Sequence, residues 1–148
     1  MNDDTGHADT VTGPVADWQA GRELPPLTVA PVSRTTLALF AGASGDGNPI
    51  HIDLDVARSA GLDDVFAHGM LSMAYLGRLL TDNFPQQRLR SWKVRFAAIT
   101  PIHARPVCTG RITAVDDSTG ERLATLDLRV TLADGTETLA GQALVVLD

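Results

Sequence analysis

The stretch from Gly69 to Phe84 constrains this chain more than any other. It carries Met70, Leu71, Met73, Ala74, Leu76, Leu79 and Leu80 at helical spacings. The apolar stripe is too wide for a helix with one dry face, so the helix must be covered on most sides. Its length is about 24 Å at the standard rise per residue. After Pro85 the period changes to two. In RLRSWKVRFAAI, Leu89, Trp92, Val94, Phe96 and Ala98 alternate with Arg90, Lys93 and Arg95, with a break in phase near Ser91. VCTGRITAV, ERLATLDLRVTLA and ETLAGQALVVL read as further strands, with DDSTGE and ADGTE as turns. LTVAPVS, at 27–33, reads as an edge strand that tolerates Pro31. The fold class is therefore α+β, a curved antiparallel sheet of about five strands wrapped around one long helix. One small sheet cannot cover every side of that helix, so a second copy is expected across a two-fold axis.

Upstream, SRTTLALFAGAS suits a short helix capped by Ser33 or Thr35, with Leu37, Leu39, Phe40 and Ala43 as its apolar groups. Gly45, Gly47 and Pro49 break it. IDLDVARSAG suits another, with Asp53 as cap and Gly61 as stop. Residues 1–20 are polar and aperiodic and read as a flexible arm, leaving 21–148 as a single domain.

The net charge of −6 argues against nucleic acid or an anionic membrane as the main partner, since both reward clustered Lys and Arg. The lone Cys108 permits no intramolecular disulfide and suits a reducing compartment. The most apolar stretch, GMLSMAYLGRLL, is too short to span a bilayer and contains Arg78. The N-terminus lacks the basic start and apolar middle of a signal peptide, so a cytoplasmic location is expected.

The chemistry concentrates in SGDGNPIH, residues 44–51. As a plain loop it needs no further explanation: Asp and Asn cap turns, Gly takes positive φ and Pro fixes the chain. The alternative is an acid/base site. Asp46 and His51 are separated by a Gly/Pro bend that can turn both toward one water, and Asn48 between them can hold that water or the carboxylate. His68-Gly69 then opens the long helix, whose first N–H groups are unpaired and sit at the positive end of its dipole. A glycine there lets a ligand carbonyl come close, as an oxyanion site requires.

Taken together, FAGASGDGNPIHIDLDVA, FAHGMLSMAYLGRLL and VRFAAITPI resemble the MaoC-like, (R)-specific enoyl-CoA hydratases. They resemble equally the (3R)-hydroxyacyl-ACP dehydratases, which share the hydratase motif. The similarity covers about residues 27–147. It implies a hot-dog fold, a dimer, and an Asp/His pair acting on water. Carried over by motif position, Asp46 and His51 are the catalytic pair and Asn48 supports them. The Gly69 N–H belongs to the oxyanion hole, and Ser72, one turn on, faces the pocket as a further water-orienting group. The acyl chain is expected near Met70 and Met73. The implied substrate is a trans-2-enoyl or (3R)-3-hydroxyacyl thioester on coenzyme A or acyl carrier protein, with no metal or redox cofactor. A hot-dog thioesterase is the rival enzyme. A heteromeric MaoC-type dehydratase, with this chain as its catalytic member, is the rival assembly.

The chain departs from the resemblance at IHARPV, residues 102–107, where many relatives have a Gly-Asp turn. A changed hairpin is expected there, with His103 on the surface. His7 receives no role. His68 is expected to contribute its backbone rather than its imidazole, and Cys108 to be a core residue. Arg88, Arg90, Lys93 and Arg95 form either a solvated strand face or a strip for the phosphates of the carrier.

Overall fold

The computed structural model describes residues 18–147. Strand β1 (Leu27–Thr28) precedes helices α1 (Arg34–Ser44), α2 (Leu54–Ser59) and α3 (Gly69–Asn83). Strands β2 (Leu89–Phe96), β3 (Val107–Asp116), β4 (Leu123–Thr131) and β5 (Glu137–Val146) follow. They form one antiparallel sheet in the order β1-β3-β4-β5-β2. This is the α+β hot-dog arrangement expected from the sequence.

Alternation along the strands builds the core. Cys108 and Ile112 of β3, Ala124, Leu126, Leu128 and Val130 of β4, and Leu139, Ala143 and Val145 of β5 are buried in one cluster with Leu76, Leu79 and Leu80 of α3. The break in phase near Ser91 is a register shift between Leu89 and Ser91 against β5. A second cluster joins Val32, Leu37, Ala57, Val65, Ala67 and Leu71, with Tyr75 touching both clusters. It fastens α1 and α2 to the start of α3, where the motif residues lie. Ser33 caps α1, accepting the Thr36 N–H at 3.0 Å, and Asp53 caps α2 through the N–H groups of Asp55 and Val56.

Several expectations shift in detail. The strand expected over 27–33 shrinks to Leu27–Thr28. Pro31, and Pro106 on the other segment, lack an N–H, so beyond Thr28 separate bonds replace the ladder: Val29 N–H to the Pro106 carbonyl, Val32 N–H to the Ala104 carbonyl and His103 N–H to the Val32 carbonyl. Leu39 is 70% exposed, and the inner face of α1 is Leu37 and Ala41 instead. The α3 stripe is covered less fully than its composition suggests, with Met70 54% exposed in the single chain. Of the expected arm, residues 1–17 lie outside the described region. Trp18 is buried, its ring 4.8 Å from that of Phe84, so this residue of the expected arm belongs to the packed domain. The 102–107 segment turns through His103 at φ 65, a left-handed backbone taken by a non-glycine residue. Among the described residues no helix is long and apolar enough to cross a membrane.

Glycine sets the distance between α3 and β2. A Cβ at Gly77 would stand 2.7 Å from the Trp92 ring. Gly77→Ala should therefore destabilise the fold by about 1–3 kcal/mol through overpacking. Gly42 of α1 has nothing within 4 Å of the same position, and Gly42→Ala should stabilise by about 0.5–1 kcal/mol. Urea unfolding midpoints check both. A Gly77→Ala midpoint at or above that of the parent would contradict the packing account.

Candidate active site

The SGDGNPIH loop is braced mostly by its own polar groups. Gly45 ends α1 at φ 76, donating to the Ala41 carbonyl. The Asp46 N–H donates to Ser44 Oγ at 3.2 Å, and the Asn48 N–H to Asp46 Oδ1 at 3.3 Å. Asn48 Oδ1 accepts the Ile50 N–H at 3.2 Å, capping a single 3-10 turn over Pro49–His51. These are the side-chain turns that Ser, Asp and Asn favour. The Asn48 side chain thus spends its oxygen on the turn, and only its NH₂ group remains for a ligand or water.

The turn buries His51 while its neighbours Asp46 and Asn48 stay exposed. His51 Nδ1 lies 2.8 Å from the Phe66 carbonyl. A carbonyl only accepts, so Nδ1 carries the hydrogen and Nε2 keeps a free lone pair. The Phe66 ring meets the imidazole edge-on at 4.7 Å. In the neutral form of the ring this arrangement selects one tautomer, with Nε2 as the basic nitrogen.

The imidazole of His68 also belongs to the cluster. It is 1% exposed and lies 4.0 Å from the His51 ring, centroid to centroid, at a tilt of 32°. Its Nε2 is 3.1 Å from the Asp46 carbonyl, and its Nδ1 is buried without a partner. Burial first, and the neighbouring His51 second, hold its pKa below the ordinary value of 6.5. Sequence reasoning assigned His68 only a backbone role, because no spacing rule brings position 68 onto the ring of position 51. Asp46, His51 and His68 are the described residues that could share a cation, with donor atoms within 4.8 Å of one another.

Helix α3 starts at Gly69 with no side-chain cap. Beside it lies a cavity of about 350 Å³, lined by Phe66, Gly69, Ser72, Phe96, Thr100 and Leu139 among others. Its polar spot is the buried Ser72–Thr100 pair, whose hydroxyl oxygens are 3.2 Å apart. Thr100 lies within VRFAAITPI, but nothing in the string points it at Ser72. Met70 and Met73 do not line this cavity: Met70 is exposed and Met73 packs against the main core. Asp46 and His51 do not line it either, and Phe66 and the His68–Gly69 step join them to it. Another concavity, of about 370 Å³, lies beside Glu23, Arg111, Asp127 and Arg129 and contains none of the motif residues.

The remaining candidates have structural surroundings. Burial pushes the Cys108 thiol up to about 12, which removes it as a nucleophile. Arg88 donates to the Leu147 carbonyl at 2.6 Å and Arg90 pairs with Glu121 at 2.7 Å, while Lys93 and Arg95 are exposed on β2. His103 is exposed.

The lowered pKa of His68 has a consequence for folding. The unfolded chain binds a proton at this residue more readily than the folded one, so stability rises with pH through this range. Stability should therefore fall as pH drops below 6.5, and His68→Gln should flatten that part of the profile. Urea midpoints between about pH 7.5 and 5.5 measure it. Parallel profiles for the two proteins would contradict the account.

Comparison with known proteins identifies the lineage. Residues 18–133 match the model of the MaoC like domain. The chain is 29% identical over 92 residues to 3-hydroxyacyl-thioester dehydratase Z of Mycobacterium tuberculosis, an alignment covering 58% of this chain and 61% of that protein. The chain thus spans less than two thirds of that relative. The (R)-hydratase from A. caviae involved in PHA biosynthesis superposes with a TM-score of 0.78 at 23% identity, covering 89% of this chain and 98% of the other. A chain of the ChsH1-ChsH2 complex from Mycobacterium tuberculosis superposes with a TM-score of 0.75 at 22% identity, covering 87% and 98%. At these identities the superpositions speak for the fold. The family match extends over most of the sequence, including the SGDGNPIH loop and the start of α3, and the chain belongs to the MaoC-like domain family.

Proposed function

We propose that this chain is an (R)-specific hydro-lyase that interconverts trans-2-enoyl thioesters and (3R)-3-hydroxyacyl thioesters. The observation that carries this reading is the anchored ring of His51: its Nδ1 lies 2.8 Å from the Phe66 carbonyl, and the ring clusters with the Asp46 carboxylate and His68, one donor atom of each lying within 4.8 Å of the others. An imidazole held this way can take a proton from a water that the Asp46 carboxylate orients. The uncapped start of α3 supports the second half of the chemistry. The Gly69 N–H would donate a hydrogen bond to the thioester carbonyl as an enolate-like oxygen develops, drawing electrons from the β-carbon.

Written as a balanced step, the water oxygen bonds to C3 and its proton passes to His51 Nε2. That proton then returns to C2, and the sum is one water added across the double bond. Dehydration is the same path reversed. Asn48 steadies the loop and offers its NH₂ group to the water. Ser72, paired with Thr100, forms the polar spot of a cavity otherwise suited to the acyl group. Within this reading neither a metal nor a redox cofactor is needed, and coenzyme A or acyl carrier protein brings the substrate. The apolar groups exposed beside the cavity, Met70, Phe96 and Ile99, support assembly with a second MaoC-like subunit, either a copy of this chain or a different one. A thioesterase would direct the same water at the carbonyl and release the thiol.

The test follows crotonyl-CoA and longer enoyl-CoAs by loss of the conjugated thioester absorbance, with free thiol assayed in parallel. Loss of absorbance without thiol is expected, and thiol release would overturn the reading. Asp46→Asn and His51→Ala should each lower kcat by about 10²-fold or more. Full activity in both variants would remove the site assignment.

A further inference from the structure

We infer that His68 is a positioning residue that ties the Asp46 loop to the buried His51 ring through its own imidazole. The inference rests on the hydro-lyase reading of the same site and names a residue which that reading leaves without a role. The hydrogen bonds of the loop show why a tie is needed. Among the described residues, the bonds made by 45–48 are local: Gly45 to Ala41, Asp46 to Ser44, Gly47 to Gly45, Asn48 to Asp46, and Ile50 and His51 to Asn48. The exception is the bond from His68 Nε2 to the Asp46 carbonyl, which crosses 22 positions of sequence. Without it, an exposed carboxylate on a glycine-flanked turn has no bond to the interior.

The same ring fixes the other partner. His51 is held at one edge by the Phe66 carbonyl and on one face by His68, so both its tautomer and its ring plane are set. Phe40 meets His68 edge-on at 5.1 Å and keeps that ring in place in turn. The protonation pattern agrees. Nε2 faces a carbonyl and must carry the hydrogen, which leaves Nδ1 as a bare lone pair with no partner. Burying such a lone pair costs stability, and a phenyl ring would fill the space without that cost. What imidazole adds over phenyl is the Nε2–H bond to Asp46.

Three substitutions separate positioning from space filling. The Gln amide nitrogen reaches the place of Nε2, and the Asn amide nitrogen only that of Nδ1. His68→Asn and His68→Phe should lower kcat by about tenfold to a hundredfold with KM near the parent value, as expected when reacting groups are held slightly out of line. His68→Gln should recover most of the loss. Full kcat in His68→Asn, or His68→Gln as impaired as His68→Asn, would overturn the proposal. Nitrogen-15 NMR of the unsubstituted protein decides the question without activity. His68 should appear as the Nε2–H tautomer and His51 as the Nδ1–H tautomer at neutral pH, and a His68 protonated at Nδ1 would overturn the tie. If the unsubstituted protein hydrates no enoyl thioester, the hydro-lyase reading falls, and the NMR result still settles the tie.

Discussion

The burial of α3 against the inward rows of β3, β4 and β5 sets where every functional group stands. Leu76, Leu79 and Leu80 are almost fully enclosed, and such side chains each stabilise by about 1.5–3 kcal/mol on leaving water. That contact holds the C-terminal half of the helix. The N-terminal half is held by a smaller cluster from α1 and α2, and its first turn emerges between that cluster and Phe96. The helix is thus anchored at one end by bulk hydrophobic packing and presents its unpaired N–H groups at the other. The two ends of the helix are thus held by separate clusters, and Tyr75 touches both.

The motif loop shows how one set of residues serves two roles. Ser44, Asp46 and Asn48 form a chain of side-chain turns that any surface loop could use. The proposed chemical role rests on what the turn does to His51, whose ring leaves the loop and enters a buried slot against Phe66 and His68. The loop's carboxylate stays in water while its imidazole does not. An exposed carboxylate thus stands close to a buried imidazole, although the two are five residues apart in the chain.

Much of this was legible in the sequence because it depends on local rules. The period of two after Pro85, the wide stripe of α3, the caps at Ser33 and Asp53 and the slip near Ser91 each follow from neighbouring residues. What the sequence hid depends on contacts between distant segments. His68 read as a helix-start residue because nothing local brings its ring to His51. The Ser72–Thr100 pair joins a helix to the loop after β2. Trp18 read as part of a polar arm because its partner, Phe84, lies at the far end of α3. Met70 read as a pocket residue on a covered stripe because composition reports that a stripe is apolar, not which part of it remains uncovered in a single chain.

Phe96 and Gly69 carry a further consequence. The ring of Phe96 lies 3.0 Å from where a β-carbon on Gly69 would stand. Glycine at this position is therefore favoured by the cavity wall, since any side chain would press on the Phe96 ring. The two positions form one unit of sequence choice. A chain with alanine at 69 would need a smaller or displaced residue at 96, and that exchange would reshape the mouth of the cavity. The first N–H of α3 and this part of the cavity wall are in this sense coupled, and a change in the shape of the wall at Phe96 alters the space over the start of the helix.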